Sequence, residues 1–139
     1  MEMQNQIKEY VAQYEKEVRK LADQLRNECM PQPTEELFSE FETNGNRIRY
    51  EAVYFGRRKF LSVLGLASVI WREKEDIQKL EEVIREICAE ECWALPAHVR
   101  RKENPNWRGV IDLFASETGQ TLAHITTLLK DELSEDVIT

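Results

Sequence analysis

Between Cys92 and Glu117 the chain reads CWALPAHVRRKENPNWRGVIDLFASE, and this connector limits the available folds more than any other stretch. Pro96 and Pro105 each remove a backbone donor and fix φ, while Gly109 tolerates angles that other residues avoid, so most of it is not helical. It joins two long segments of helical periodicity and holds two of the three tryptophans, one of the two histidines and a local excess of positive charge. Connections of this length are binding or lid segments, or else disordered. Trp93, Leu95, Trp107, Val110 and Ile111 give it apolar surface to pack, which argues for order.

Periodicity on either side of the connector is helical throughout. From Met3 to about Cys29, Ile7, Val11, Tyr14, Val18, Leu21 and Leu25 recur at alternating intervals of four and three, drawing one narrow stripe. That stripe is either a surface helix laid against a body or a short coiled-coil seam. Pro31 and Pro33 end it. Thr34 with Glu35 and Glu36 has the chemistry of an N-cap and first turn, opening a short helix that Asn44-Gly45-Asn46 closes. From Tyr50 to Trp71 apolar residues occur on nearly all sides, the mark of a central helix, and Gly56, Gly65, Ala67 and Ser68 suit close helix packing.

Glu75 to Cys92 is one-sided, with Ile77, Leu80, Ile84, Ile87 and Cys88 on the apolar face, and so reads as an outer helix. A buried helix followed by an amphipathic one is the inner and outer pair of a helical hairpin array. Asp112 is placed to cap a last helix running to about Leu133. Ser134-Glu135-Asp136 resembles the start of another, which reads either as the beginning of a truncated element or as a frayed tail. The expected fold is one all-α unit over 1–139: N-terminal helices in 1–46, an inner and outer pair in 47–92, a loop in 93–111, and a C-terminal helix with the start of a next one in 112–139.

Charge and composition narrow the function classes. A formal net charge of −7 disfavours general nucleic-acid binding, which depends on phosphate neutralisation. Two basic groups stand against that trend, Arg47, Arg49, Arg57, Arg58 and Lys59, then Arg100, Arg101, Lys102 and Arg108; they are anion-binding groups or solvated faces. No signal peptide opens the sequence, and the longest apolar run, Phe60 to Trp71, is too short to span a bilayer. Cys29, Cys88 and Cys92 are odd in number and lack zinc-site spacing, so buried free thiols in a reducing, cytoplasmic compartment are expected.

No di-iron, P-loop, nucleophile-elbow or zinc-protease motif occurs, and neither a metal nor a cofactor is expected. His98, between aromatic and basic residues, is either a titrating functional group or a loop clasp. Trp93 and Trp107 could stack on sugar rings or anchor the loop. Asp112 reads as a cap rather than an acid catalyst, and Glu117 lies more than a turn beyond it, so paired-carboxylate chemistry is not indicated.

Three strings, YFGRRKFLSVLGLASV, ICAEECWALPAH and IDLFASETGQTLAHITTLL, resemble the N-terminal helical region of heparinase II/III-like proteins, where a Trp-Leu-Pro-Ala-His loop precedes an Asp-Leu-Phe-Ala helix. The similarity covers Tyr50 to Leu133. It implies part of an incomplete α/α toroid, a substrate cleft, and, for the whole protein, lysis of uronic-acid polysaccharide by β-elimination. The family's catalytic asparagine, histidine and tyrosine have no counterparts here, so this chain alone is expected to be inactive and to supply a cleft wall. Trp93, His98, Arg100, Trp107 and Glu117 are the candidate sugar-binding residues, and an anionic polysaccharide or oligosaccharide is the expected partner. Self-association through exposed helix faces is expected as well. A non-catalytic helical protein-interaction module is the alternative.

Overall fold

A computed structural model describes Met1 to Thr139, and it is all-helical with no strands. Seven helices follow one another: α1 (Glu2–Arg26), α2 (Glu35–Asn44), α3 (Ile48–Trp71), α4 (Lys74–Cys88), α5 (Pro96–Val99), α6 (Leu113–Leu128) and α7 (Glu135–Ile138), with a 3₁₀ turn at Trp107–Gly109. The proline and N-cap signals fall where expected. Thr34 is extended and its hydroxyl accepts the Leu37 amide, while Gly45 closes α2 at φ 75°, a left-handed angle that favours glycine.

α3 is the hub: α1, α2, α4 and α6 all pack on it. The main core gathers Val18, Ala22 and Leu25 of α1, Phe60, Leu61 and Leu64 of α3, Leu80, Val83 and Ile87 of α4, and Leu122 and Ile125 of α6. Gly65 is what lets α6 approach. A Cβ there would sit 2.5 Å from Ile125 Cδ1 and 3.0 Å from its Cγ1, so a side chain at this position forces Ile125 out of its place against α3. The second side of α3 stays half open to solvent at Phe55, Leu66 and Ile70, so its all-round apolar pattern is only partly consumed within this chain.

Polar staples fix the arrangement. Asp76, fully buried in the first turn of α4, accepts Arg26 Nε at 2.9 Å and Arg19 Nη1 at 3.3 Å, tying the second half of α1 to the start of α4. Arg57, 2% exposed, donates to Glu90 at 2.6 Å and to the carbonyls of Pro31 and Glu86 at 3.0 Å each. Such a buried guanidinium is tolerated only because its donors are filled.

Several expectations change. The α1 stripe is buried only from Val18 onward, and every residue from Met1 to Glu17 is exposed, including Ile7, Val11 and Tyr14. α1 ends at Arg26 and α6 at Leu128, each earlier than the periodicity suggests, because the chain turns at its Ccap while the apolar spacing continues through Met30 and Leu133 into the core. Of the three free cysteines only Cys92 is buried; Cys29 lies past the end of α1 and Cys88 faces solvent at the end of α4. Ser134 begins a short α7 that is held rather than frayed: its amide and hydroxyl donate to Glu81 at 2.6 and 2.8 Å, and Arg85 pairs with Asp136.

Candidate functional site

The connector is firm. It builds a second, smaller core in which Cys92, Ala94, Leu95, Val99 and Trp107 pack on Phe38, Tyr50 and Tyr54. Pro96 occupies the first turn of α5, where its missing N–H costs nothing, and Arg100 closes that turn at φ 46°. The Tyr54 hydroxyl donates to the Trp93 carbonyl at 2.7 Å, and Trp93 Nε1 donates to the Ile87 carbonyl at 2.9 Å. These bonds lash the loop to α3 and to the end of α4.

Asp112 is the central fastener. Oδ1 accepts the Ala115 amide at 2.7 Å as the cap of α6, while Oδ2 accepts the Leu95 amide at 3.1 Å and lies 2.7 Å from His98 Nδ1. Burial pushes its carboxyl up in pKa, but the His98 bond and the two backbone amides outweigh that and leave it lowered. One short side chain thus joins the start of α5 to the start of α6. His98 is oriented by this contact, with Nδ1 toward Asp112 and its ring stacked on Phe114 at an interplanar angle of 7°.

Next to this clasp, α3 and α6 bound a cavity of about 330 Å³. Phe55, Arg58, Lys59 and Ser62 face it from α3, and Phe114, Glu117, Thr118 and Thr121 from α6. Each set recurs at i, i+3, i+4 and i+7, the spacing of one helix face. Phe55 and Phe114 meet edge to face with ring centroids 5.3 Å apart. Arg58 is committed: it grips Glu90 through Nη1 at 2.8 Å and Nη2 at 2.7 Å, donates to Thr118 Oγ1 at 3.0 Å and lies over the Tyr54 ring. Burial lowers the Arg58 pKa, and the bonds to Glu90 more than reverse it. Lys59, exposed one residue on, makes no ion pair, and Glu117 across the groove makes none either, so the groove carries one free cation and one free carboxylate.

The five sequence-derived candidates do not converge. Glu117 lines the groove, and His98 borders it through Phe114. Trp107 is buried in the second core with Phe38 at a centroid distance of 5.4 Å, and Trp93 packs toward Gly119 with its indole N–H already bonded, so both tryptophans are anchors rather than open platforms. Arg100 lies on another face, beside Phe41, Pro96 and Lys102. Most of the basic residues are paired within the chain: Arg47 with Glu51, Arg49 with Glu40, Arg101 with Glu35 and Glu42, and Arg108 with Glu91. Arg49 and Arg108 stay 62% and 60% exposed in these pairs, so they lie on solvated faces.

Arg58 and Lys59 stood in a basic group of the sequence, whereas Phe55, Ser62, Phe114, Thr118 and Thr121 are the groove residues that the sequence did not single out. The matched spacing on the two helices was the available signal. No group of three metal-ligating side chains is placed to hold a metal ion. No family model matches this chain, and no curated protein does either.

Proposed function

We propose that this chain forms one wall of a carbohydrate cleft in a heparinase II/III-like polysaccharide lyase, with the α3–α6 groove taking part of an acidic sugar chain. The observation that carries the reading is the pairing of aromatic rings and a free cation in that groove, Phe55 and Phe114 beside Lys59. A pyranose presents an apolar face suited to a ring and hydroxyls suited to Glu117, Thr118 and Thr121. A uronate carboxylate suits Lys59, with Arg58 held near it by Glu90.

The chemistry expected of the whole protein removes the proton α to that carboxylate and expels the glycosidic oxygen. This chain's residues hold and orient the sugar. Its deprotonating and protonating groups lie outside what the residues here supply. Stacking contributes about 0.5–1.5 kcal/mol per ring and a partly screened ion pair up to about 1 kcal/mol, so the isolated wall binds with a Kd of about a millimolar at the tightest and tens of millimolar in the middle of that range. The thiols are free, which fits a cytoplasmic location. No helix is long and apolar enough to cross a membrane.

Calorimetric titration with an oligouronate tests the reading. Binding that weakens severalfold in Lys59→Ala, that is lost in Phe114→Ala and that a neutral oligosaccharide does not reproduce supports it. Equal binding of neutral and acidic sugars, or none at about 100 mM, refutes it. Trp93 and Trp107 are packed away from the groove, so intrinsic fluorescence is a poor reporter.

A second reading, a helical docking module, is favoured by a separate observation. The first half of α1 extends past the body with Met3, Ile7, Tyr10, Val11 and Tyr14 exposed. Deleting residues 1–16 would then abolish partner association while leaving the groove intact.

A further inference from the structure

The α1 arm is an unfinished seam. Its apolar stripe continues, without a change of register, the row that Val18, Ala22 and Leu25 bury against α3 and α4, yet nothing in the chain covers it before Val18. Met3 is 72% exposed, Tyr10 73%, and Ile7, Val11 and Tyr14 between 51% and 56%. Polar residues fill the remaining faces, so the stripe is narrow, as a two-helix seam requires. Sixteen helical residues ahead of the body project about 24 Å.

We infer that the occupant of this stripe is the same arm of a second copy, running antiparallel about a two-fold axis near residue 9. Two features of the chain select that partner. The free run ends at Val18, where the body closes over the stripe, so an antiparallel arm of a second copy fits the space between the two bodies. In that register Val11 of one copy faces Ile7 of the other, and Tyr10 meets its own counterpart across the axis, as an isologous contact demands.

The area is also adequate. Covering the five exposed side chains in both copies removes on the order of 1,000 Å² from water, the low end for a specific interface. The pairing deepens the docking-module reading, on which it rests, and is independent of sugar binding. Each copy carries −7, which opposes association at long range, while in this register Glu2 of each copy faces Lys16 of the other across the seam.

The test is sedimentation of the full chain from micromolar to millimolar concentration, together with mild oxidation of Tyr10→Cys in a Cys29→Ser/Cys88→Ser background. A concentration-dependent dimer that Val11→Glu weakens at least about tenfold and that Tyr10→Cys traps as a disulfide-linked pair supports the inference. The flank holding Tyr10 meets itself only in the antiparallel arrangement. A chain that stays monomeric to millimolar concentration, or a dimer insensitive to Val11→Glu, overturns it. If Val11→Glu dissolves a dimer that Tyr10→Cys does not trap, the antiparallel pairing fails while the docking reading stands. Circular dichroism of Val11→Glu separates loss of association from loss of helix.

Discussion

Replacing Asp112 with alanine removes three interactions at once, and the structure sets the size of the loss. The cap on the Ala115 amide is worth about 1 kcal/mol. The Leu95 amide, on a residue 1% exposed, loses its acceptor and is left unsatisfied at about 1–3 kcal/mol. The His98 contact is half exposed and contributes at most about 1 kcal/mol. Together Asp112→Ala should cost about 2–5 kcal/mol, and with a urea slope near 2 kcal/mol/M the unfolding midpoint should fall by about 1–2.5 M.

Asp112→Asn keeps one acceptor oxygen but presents an amide NH₂ in place of the other, so it should lose about half as much. His98→Ala should lose less than about 1 kcal/mol. The pH dependence carries a sign. Because the folded carboxyl lies below its ordinary 3.8, its contribution is complete above that value and is lost as pH falls through the folded pKa. Both Asp112 variants should therefore show a flatter acid limb. A midpoint for Asp112→Ala within about 0.2 M of the parent would refute the idea that this carboxylate fastens the connector.

Glu90→Ala leaves Arg57 and Arg58 without their shared carboxylate and should cost about 3–5 kcal/mol by urea unfolding. Gly65→Ala should destabilise by about 1–3 kcal/mol despite alanine's better helix propensity, and Ile125→Val in the same chain should recover part of it. Burial raises the Tyr50 hydroxyl from 10.0 to about 12, with Glu90 adding to the shift. Its contribution is complete below pH 10 and lost as pH rises toward 12, so Tyr50→Phe should flatten the alkaline limb of the stability curve.

Much of the local structure was legible because its causes are local. An acid before an apolar run announced Asp112 as a cap, Thr34 did the same for α2, and the one-sided row at Ile77, Leu80, Ile84 and Ile87 announced α4. Periodicity told which side of α1 is apolar, but not that only the part beyond Glu17 finds a partner within the chain, since cover is a tertiary property. Arg57, Arg58 and Glu90 read as separate charges, and only the fold that sets α3 against the end of α4 makes them one network.

The candidate site was half legible for the same reason. Glu117 stood out as a charge beside the loop, but the groove consists of two helix faces brought together through Gly65 and Ile125. Trp93 and Trp107 attracted attention as sugar platforms because exposure cannot be read from composition. Their indoles are spent on Ile87 and on the Phe38 cluster.

Amide shift mapping by NMR during titration with an oligouronate addresses the groove most directly. Perturbations that saturate and cluster on Phe55, Lys59, Phe114, Glu117, Thr118 and Thr121, with Arg100 and Trp107 unmoved, are what the account predicts. Shifts centred on Arg100 and Lys102, or none at all, would contradict it.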